Sequence, residues 1–228
     1  MIDRGHFEVS MGGFDMAVRP VFAPGKRKNE ADVFMTEFVW NSGLSVSQKR
    51  KNITALHDAY IHRFPERKVL EISSKSEVKL GVALSAFNLK KYVPSLGKSI
   101  PVECVFQGAK VFAAGGPYID LYGATSRDAK RDPRLKASGM LRSFYYEGEK
   151  FPIEPRTAFY NWVYINALIE NPDLAAELVQ YDGFTDIEFN PDKGVNCQAE
   201  AAALYVTLSR RGLLDKCKNF HEFVHLID

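Results

Sequence analysis

Apolar positions change their period several times along the chain, and each change predicts an element. The first 15 residues are polar and contain glycine, so they read as a disordered N-terminal extension to an ordered domain over residues 16–228, beginning at Met16 and AVRPVF. VFMTEFVW (33–40) carries apolar residues on both faces, which predicts a buried strand ended by Asn41-Ser42-Gly43. In SVSQKRKNITALHDAYIHRF the apolar positions Ile53, Leu56, Tyr60, Ile61 and Phe64 fall on one helical face, with Ser47 as the cap and Pro65 as the stop. That face leaves His57 and His62 toward solvent. KVLEISS (68–74) predicts a second strand followed by a polar turn.

LGVALSAFNL (80–89) is apolar but punctuated by Gly81, Ser85 and Asn88, and KKYVPSLGKSIP reads as a loop. VECVFQGAKVFA (102–113) predicts a helix whose stripe is Val102, Val105, Phe106, Ala109, Phe112 and Ala113. Glu103, Gln107 and Lys110 recur at i, i+4 and i+7 along the edge of that stripe. After a Gly-Gly-Pro turn, SRDAKRDPRLK (126–136) reads as a solvated basic segment and RSFYYEGEKF (142–151) as a strand and turn. Pro155 opens an aromatic-rich helix, RTAFYNWVYINALIEN, and Asn171-Pro172 opens another. The acidic stretch GFTDIEFNPDKGVN (183–196) reads as a loop, and NCQAEAAALYVTLSRRG as a helix capped by Asn196 and ended by Gly212. The sum is a single α+β domain, predominantly helical with a small β-sheet.

Composition narrows the classes without choosing one. At 46% hydrophobic and 25% charged, with a formal charge of +2, the chain has ample core material and no strong global field toward nucleic acid. Three cysteines without a CxxC spacing exclude a disulfide framework and a cysteine zinc site. No apolar run is long enough to span a bilayer, and the charged N-terminus does not resemble a signal peptide, so a cytoplasmic protein without membrane contact is expected.

Candidate chemistry lies in a few places. His221-Glu222-Phe223-Val224-His225 is formally HExxH, but only three residues follow and a third zinc ligand is missing, so a terminal amphipathic helix is the better reading and no metal is expected. The glycine-rich phosphate loops and the GxSxG elbow do not occur. Basic clusters at Lys26-Arg27-Lys28, Lys49-Arg50-Lys51 and Lys90-Lys91, together with the 126–136 segment, are candidates to track a phosphate backbone. The Glu103, Gln107, Lys110 row has two readings. It is a surface Glu-Lys pair, or it is a partly buried acid, amide and amine fit for proton transfer and nucleophilic work.

The helix Glu103-x-x-Phe106-Gln107-x-x-Lys110 resembles the E-x-x-F-Q-x-x-K helix of the NADAR superfamily, which includes the YbiA-type N-glycosidases. Ser85-Ala86-Phe87-Asn88 is similar to the family's Ser-Asn-Phe turn in transposed order, and Asp182 to Asn190 with Asn196-Cys-Gln-Ala resembles its acidic loop and Asn-started helix. The usual Asn-Arg-Leu-Gly and Trp-Gly are absent. EISSKSE, LSAFNL, FQGAKVF, GGPY, EPRTAFYNWVYINAL and YDGFTDIEFNP resemble the DarT-associated NADAR antitoxins in particular. That resemblance implies a NADAR/YbiA-like fold and a partner toxin of the DarT type, which attaches ADP-ribose to guanine in DNA. The chain would then be a metal-independent hydrolase without a cofactor, acting on ADP-ribosylated DNA and releasing ADP-ribose. Two rivals stand beside it: a YbiA-like N-glycosidase of a small ribosylated metabolite, and a non-catalytic antitoxin that binds the toxin.

The resemblance makes Glu103 the candidate acid/base. Lys110 would either hold the pyrophosphate or attack ribose C1′. Asp186 is the second acidic candidate, with Asp182 and Glu188 as competitors in the same loop. Gln107 and Asn88 would meet ribose hydroxyls, Ser73, Ser74 and Lys75 the phosphates, and Phe106 or Tyr118 would stack on a ring. Ser85 and Asn196 complete the expected ADP-ribose contacts, and Lys49, Arg50 and Arg127 the expected DNA contacts.

Overall fold

The computed structural model describes residues 15–192 and 194–227, so residues 1–14 of the predicted N-terminal extension lie outside the described residues. Strand β1 (Met16–Pro24) pairs antiparallel with β2 (Ala31–Val39) from Met16↔Val39 to Pro24↔Ala31. Alternation decides what each face does. Phe34 and Phe38 turn inward onto Ile53, Leu56 and Tyr60 of helix α1 (Val46–Arg63). Val33 and Met35 turn outward and are more than half exposed (54% and 53%), so the expectation of a strand buried on both faces is corrected: β2 is the sheet edge and α1 covers one side. The cap of α1 is Ser45, whose Oγ accepts from Gln48 N at 3.2 Å, and not Ser47.

The sheet continues through two short strands. β3 (Val69–Glu71) runs parallel to β9 (Gly183–Thr185), and β9 lies antiparallel against β1, giving the order β2-β1-β9-β3. β9 lies within the segment expected to be a loop. Three residues are too few to show a period, and β9 is made a strand by its neighbours on both sides. The punctuated apolar run at 80–89 opens with a short helix, α2 (Lys79–Ala83), and the predicted loop beyond it is a hairpin of β4 (Lys90–Val93) and β5 (Lys98–Pro101), closed at Gly97 with φ +60°. In that hairpin Lys91 turns inward and pairs with Glu170 at 2.5 Å.

Helix α3 (Val102–Gly108) is buried at every position and is shorter than its periodicity suggests. Other segments take its last carbonyls: Tyr118 N donates to Gly108 O at 2.8 Å and Tyr145 N to Ala109 O at 2.7 Å. A Cβ on Gly108 would meet the Tyr122 ring at 2.4 Å, so only glycine fits there. Lys110 therefore begins a strand, β6 (Lys110–Phe112), in a sheet with β7 (Leu141–Tyr146) and β8 (Glu149–Phe151). The charged run forms α4 (Ser126–Arg131) and α5 (Arg134–Ala137).

The core is centred on α6 (Ala158–Ile169), buried everywhere except Trp162 and Ile169, packed against α8 (Gln198–Arg210) with α7 (Pro172–Leu178) alongside. Cys197 occupies the cap position of α8 in place of Asn196. The final helix α9 (Phe220–Ile227) buries Phe220 and Phe223 and presents His221, Glu222 and His225 outward. The class is α+β, with three small sheets where one was expected. Among the described residues no helix is long and apolar enough to cross a membrane.

Candidate active site

The parallel pair β3/β9 ends with Glu71 and Thr185, and Ile72 N still donates to Thr185 O at 2.8 Å beyond them. Immediately past these strand ends lie Asp186, the Ser73–Lys75 turn and the start of α8. A chain of hydrogen bonds joins them to α3. Gln198 Nε2 donates to Ile72 O at 2.7 Å and to Asp186 Oδ2 at 3.0 Å, while its Oε1 accepts from Ala86 N at 2.7 Å. Ala86 O in turn accepts from Glu103 N at 2.9 Å, so one peptide and one side chain connect the acidic loop to the row on α3.

That row is interior. Glu103 and Gln107 are 5% and 7% exposed, Gln107 Nε2 donates to Glu103 Oε1 at 2.8 Å, and Lys110 Nζ donates to Gln107 Oε1 at 2.7 Å. The surface-pair alternative is thereby removed for Glu103. Although Lys110 sits on a strand, its chain reaches back to the helix, with Nζ 4.5 Å from the centre of the Phe106 ring. Burial lowers the Lys110 pKa to about 8 against the opposing pull of Glu103, and Lys130 lowers it further. Lys130 Nζ lies 5.3 Å from the Phe87 ring and acts on Asp186 as well, so this exposed lysine of α4 bears on both halves of the site.

The three acids of the loop differ. Asp182 is tied to Arg210 at 3.3 Å and to Lys68 N at 3.3 Å, at the far end of β9. Glu188 is exposed and pairs with Lys49 at 3.6 Å. Asp186 is half-buried; it accepts from Glu188 N at 3.0 Å and from Gln198, and burial followed by the negative charge of Glu71 holds its carboxyl well above the usual range. The Tyr160 ring lies under the same charges, because Glu103 and Asp186 both raise its hydroxyl pKa in addition to burial.

The remaining predicted residues are distributed as follows. Phe106 is core, with the Phe144, Phe159 and Tyr160 rings 5.5, 6.5 and 5.1 Å away. Tyr118 bonds Ser138 through its hydroxyl and carries the Arg134 guanidinium over its ring at 4.4 Å. Ser85 Oγ and Asn88 Nδ2 both donate to Val82 O, at 2.9 and 2.8 Å, closing the turn after α2. Ser73 is buried and accepts from Lys75 N at 3.1 Å, and Lys75 Nζ donates to the exposed Ser74 Oγ at 2.7 Å. Asn196 has a buried Oδ1 without a hydrogen-bond partner among the described residues, an open acceptor beside the α8 start. Of the basic clusters, Lys49 is only 17% exposed and paired with Glu188, Arg50 faces Glu77 at 3.9 Å, Arg127 is exposed, and Lys91 is committed to Glu170.

Sequence reasoning missed Gln198, Glu71, Lys130 and His57. The helical period places His57 outward, yet its Nε2 lies 2.8 Å from Thr185 Oγ1, and burial lowers its pKa to about 4. Among the described residues no group of three or more His, Cys, Asp or Glu side chains is placed to hold a metal ion. The profile of one protein family, described as DarT1-associated NADAR antitoxin, matches residues 17–228. No curated protein matches the chain.

Proposed function

The chain belongs to the DarT1-associated NADAR antitoxin family, and from that premise and the site geometry we propose that it hydrolyses the bond between ADP-ribose and guanine in DNA. The observation that supports this reading is the interior Glu103–Gln107–Lys110 row, linked through Ala86 and Gln198 to Asp186. Burying a carboxylate without a contacting counter-charge costs several kcal/mol, which a purely structural helix has no reason to bear.

Hydrolysis breaks the bond from ribose C1′ to the guanine nitrogen. Water supplies hydroxide to C1′ and a proton to the departing base. Positive charge develops on the ribose as the bond lengthens, so a carboxylate near C1′ stabilises the transition state and a protonated group must face the leaving nitrogen. Glu103 is assigned the carboxylate role and, with its Oε1 already held by Gln107, activates water through its other oxygen. Asp186, which keeps its proton to higher pH than an ordinary carboxyl, is assigned the donor role. Lys110 is assigned to the pyrophosphate. Its contact with the Phe106 face and its bond to the Gln107 carbonyl both suit the charged ammonium, not a free amine poised to attack. Asn196, with its open acceptor, is assigned to a ribose hydroxyl.

The test is an oligonucleotide ADP-ribosylated on guanine, incubated with the protein with and without chelator, with ADP-ribose release quantified. Release that survives chelator and collapses in Glu103→Gln supports the reading. Release only from a free ribosylated metabolite replaces it with the small-molecule glycosidase, and a borohydride-trapped adduct on Lys110 replaces the pyrophosphate role with a covalent one.

A further inference from the structure

Asp186 is held by its neighbours, and both neighbours are held by one carboxylate. Thr185 Oγ1 donates to Glu71 Oε2 at 2.6 Å, and Ile187 N donates to Glu71 Oε1 at 2.9 Å. Glu71 is 2% exposed and forms no ion pair among the described residues. It lies at the end of β3, buried against the residues that flank Asp186. Thr185 also meets His57 Nε2, and because the threonine hydroxyl has one proton, already given to Glu71, the imidazole donates to it. The neutral histidine therefore closes the outer end of the chain His57–Thr185–Glu71.

We propose that Glu71 is the positioning residue of this site: clamped to the residues on either side of Asp186, it fixes that carboxyl and, as a like charge behind it, favours its protonated form. This rests on the reading of Asp186 as the acid of the glycosidic reaction. Every group facing Asp186 is consistent with it. Glu71 from β3 is the like charge that disfavours ionisation, after burial itself. Lys130 from α4, Gln198 from α8 and the Glu188 amide act the other way, and Lys130 is exposed, where solvent screens it. Tyr160 and Tyr164 from α6 and Cys197 before α8 are neutral, since burial raises all three. Burial raises the Glu71 pKa too, but the donors Thr185, the Ile187 amide and Ser73 oppose that rise, and the amide, a backbone N–H, cannot reverse direction, so Glu71 is assigned the charge of the pair.

The test reads Asp186 directly. Side-chain carboxyl ¹³C resonances are titrated in the intact protein, with Asp186→Asn giving the assignment, and the Asp186 midpoint is compared between wild type and Glu71→Gln. The midpoint is expected to fall by about one pH unit or more when the like charge is removed, and an unmoved midpoint overturns the proposal. Thr185→Val covers the case in which Glu71→Gln does not fold. It removes one donor from Glu71, makes Glu71 easier to protonate and so lowers the Asp186 midpoint by a smaller amount, and no change in the folded variant again overturns the proposal. The midpoint is read without substrate, so the two readings fail separately. A shifted midpoint in a protein inert on ADP-ribosylated oligonucleotide defeats the glycosidic reading, whereas an active protein with an unmoved midpoint defeats the role of Glu71.

Discussion

The two ends of β9 carry the same residue type in opposite circumstances. Asp182, just before the strand, is answered by the Arg210 guanidinium and the Lys68 amide; Asp186, just after it, faces Glu71 and, among the described residues, is bonded by an amide side chain and a backbone N–H, with the exposed Lys130 acting on it without an ion-pair contact. The lysines repeat the contrast. Lys91 is buried against Glu170 at 2.5 Å, while the half-buried Lys110 forms no ion pair among the described residues and contacts the carbonyl of Gln107 and the face of Phe106. Paired charges tie the hairpin and the loop to the body, and unpaired ones keep their binding capacity for a ligand. What separates the candidate site from the rest of the molecule is thus the counter-ion withheld, not the kind of residue present.

Substitution at matched pairs tests that contrast most severely. Glu103→Gln and Asp186→Asn are each expected to lower ADP-ribose release by roughly a hundred- to ten-thousandfold, the range of general acid-base catalysis. Asp182→Asn loses only a partly exposed ion pair and is expected to stay within about twofold, since such pairs contribute under about 1 kcal/mol. Release assays on the three variants under one condition decide it, and a large loss in Asp182→Asn would dissolve the distinction between the strand ends. The lysines come next. Lys110→Met is expected to cut release at least about tenfold by losing a charge-assisted phosphate contact while leaving urea unfolding little changed. Lys91→Met does the reverse: it strands Glu170 and is expected to cost about 1–3 kcal/mol of stability with little change in turnover.

The part of this site legible in the sequence is the part built by local spacing. Glu103 and Gln107 lie one turn apart on α3, and three residues later Lys110 reaches back to the amide even though the helix has ended, so the predicted row survives an error in the element that carries it. The choice among the loop acids was not legible. Asp182 and Asp186 lie four residues apart in one loop, and only the pairing of β9 with β3 brings Glu71 beside one and the packing of α8 brings Arg210 beside the other. Gln198 is hidden for the same reason, since its partners Ile72 and Ala86 are 126 and 112 residues away in sequence. Its one local signal is a polar residue opening an apolar helix, next to the Asn196-Cys197 pair. His57 obeys the period of α1, but that period cannot show that the helix passes over Thr185.

The pH dependence sharpens the comparison on a smaller scale. In its assigned pyrophosphate role Lys110 must be protonated, and its pKa is lowered to about 8, so activity is expected to fall as pH rises through that value, toward the level of Lys110→Met. Asp186 in its donor role gives a limb of the same sign, because it too must hold a proton. Lys110→Arg separates the two. The guanidinium stays charged throughout, so a limb that moves to higher pH belongs to Lys110, and one that remains belongs to Asp186.

The smallest effects are expected at the surface, where the cations differ in how far they are engaged. Arg127 is exposed, Arg50 faces Glu77 across 3.9 Å, and Lys49 is mostly covered and paired with Glu188. If they track a DNA backbone, charge reversal at Arg127 or Arg50 weakens release from the modified oligonucleotide by about three- to tenfold at low salt, the loss fading as salt rises, and spares release from ADP-ribosylated guanosine. Lys49→Glu is expected to act differently, disturbing both substrates through Glu188, whose backbone N–H holds Asp186. Salt-independent, equal losses on both substrates at Arg127 would remove the DNA-contact role from α4 and leave that helix with Lys130 as its one contribution to the site.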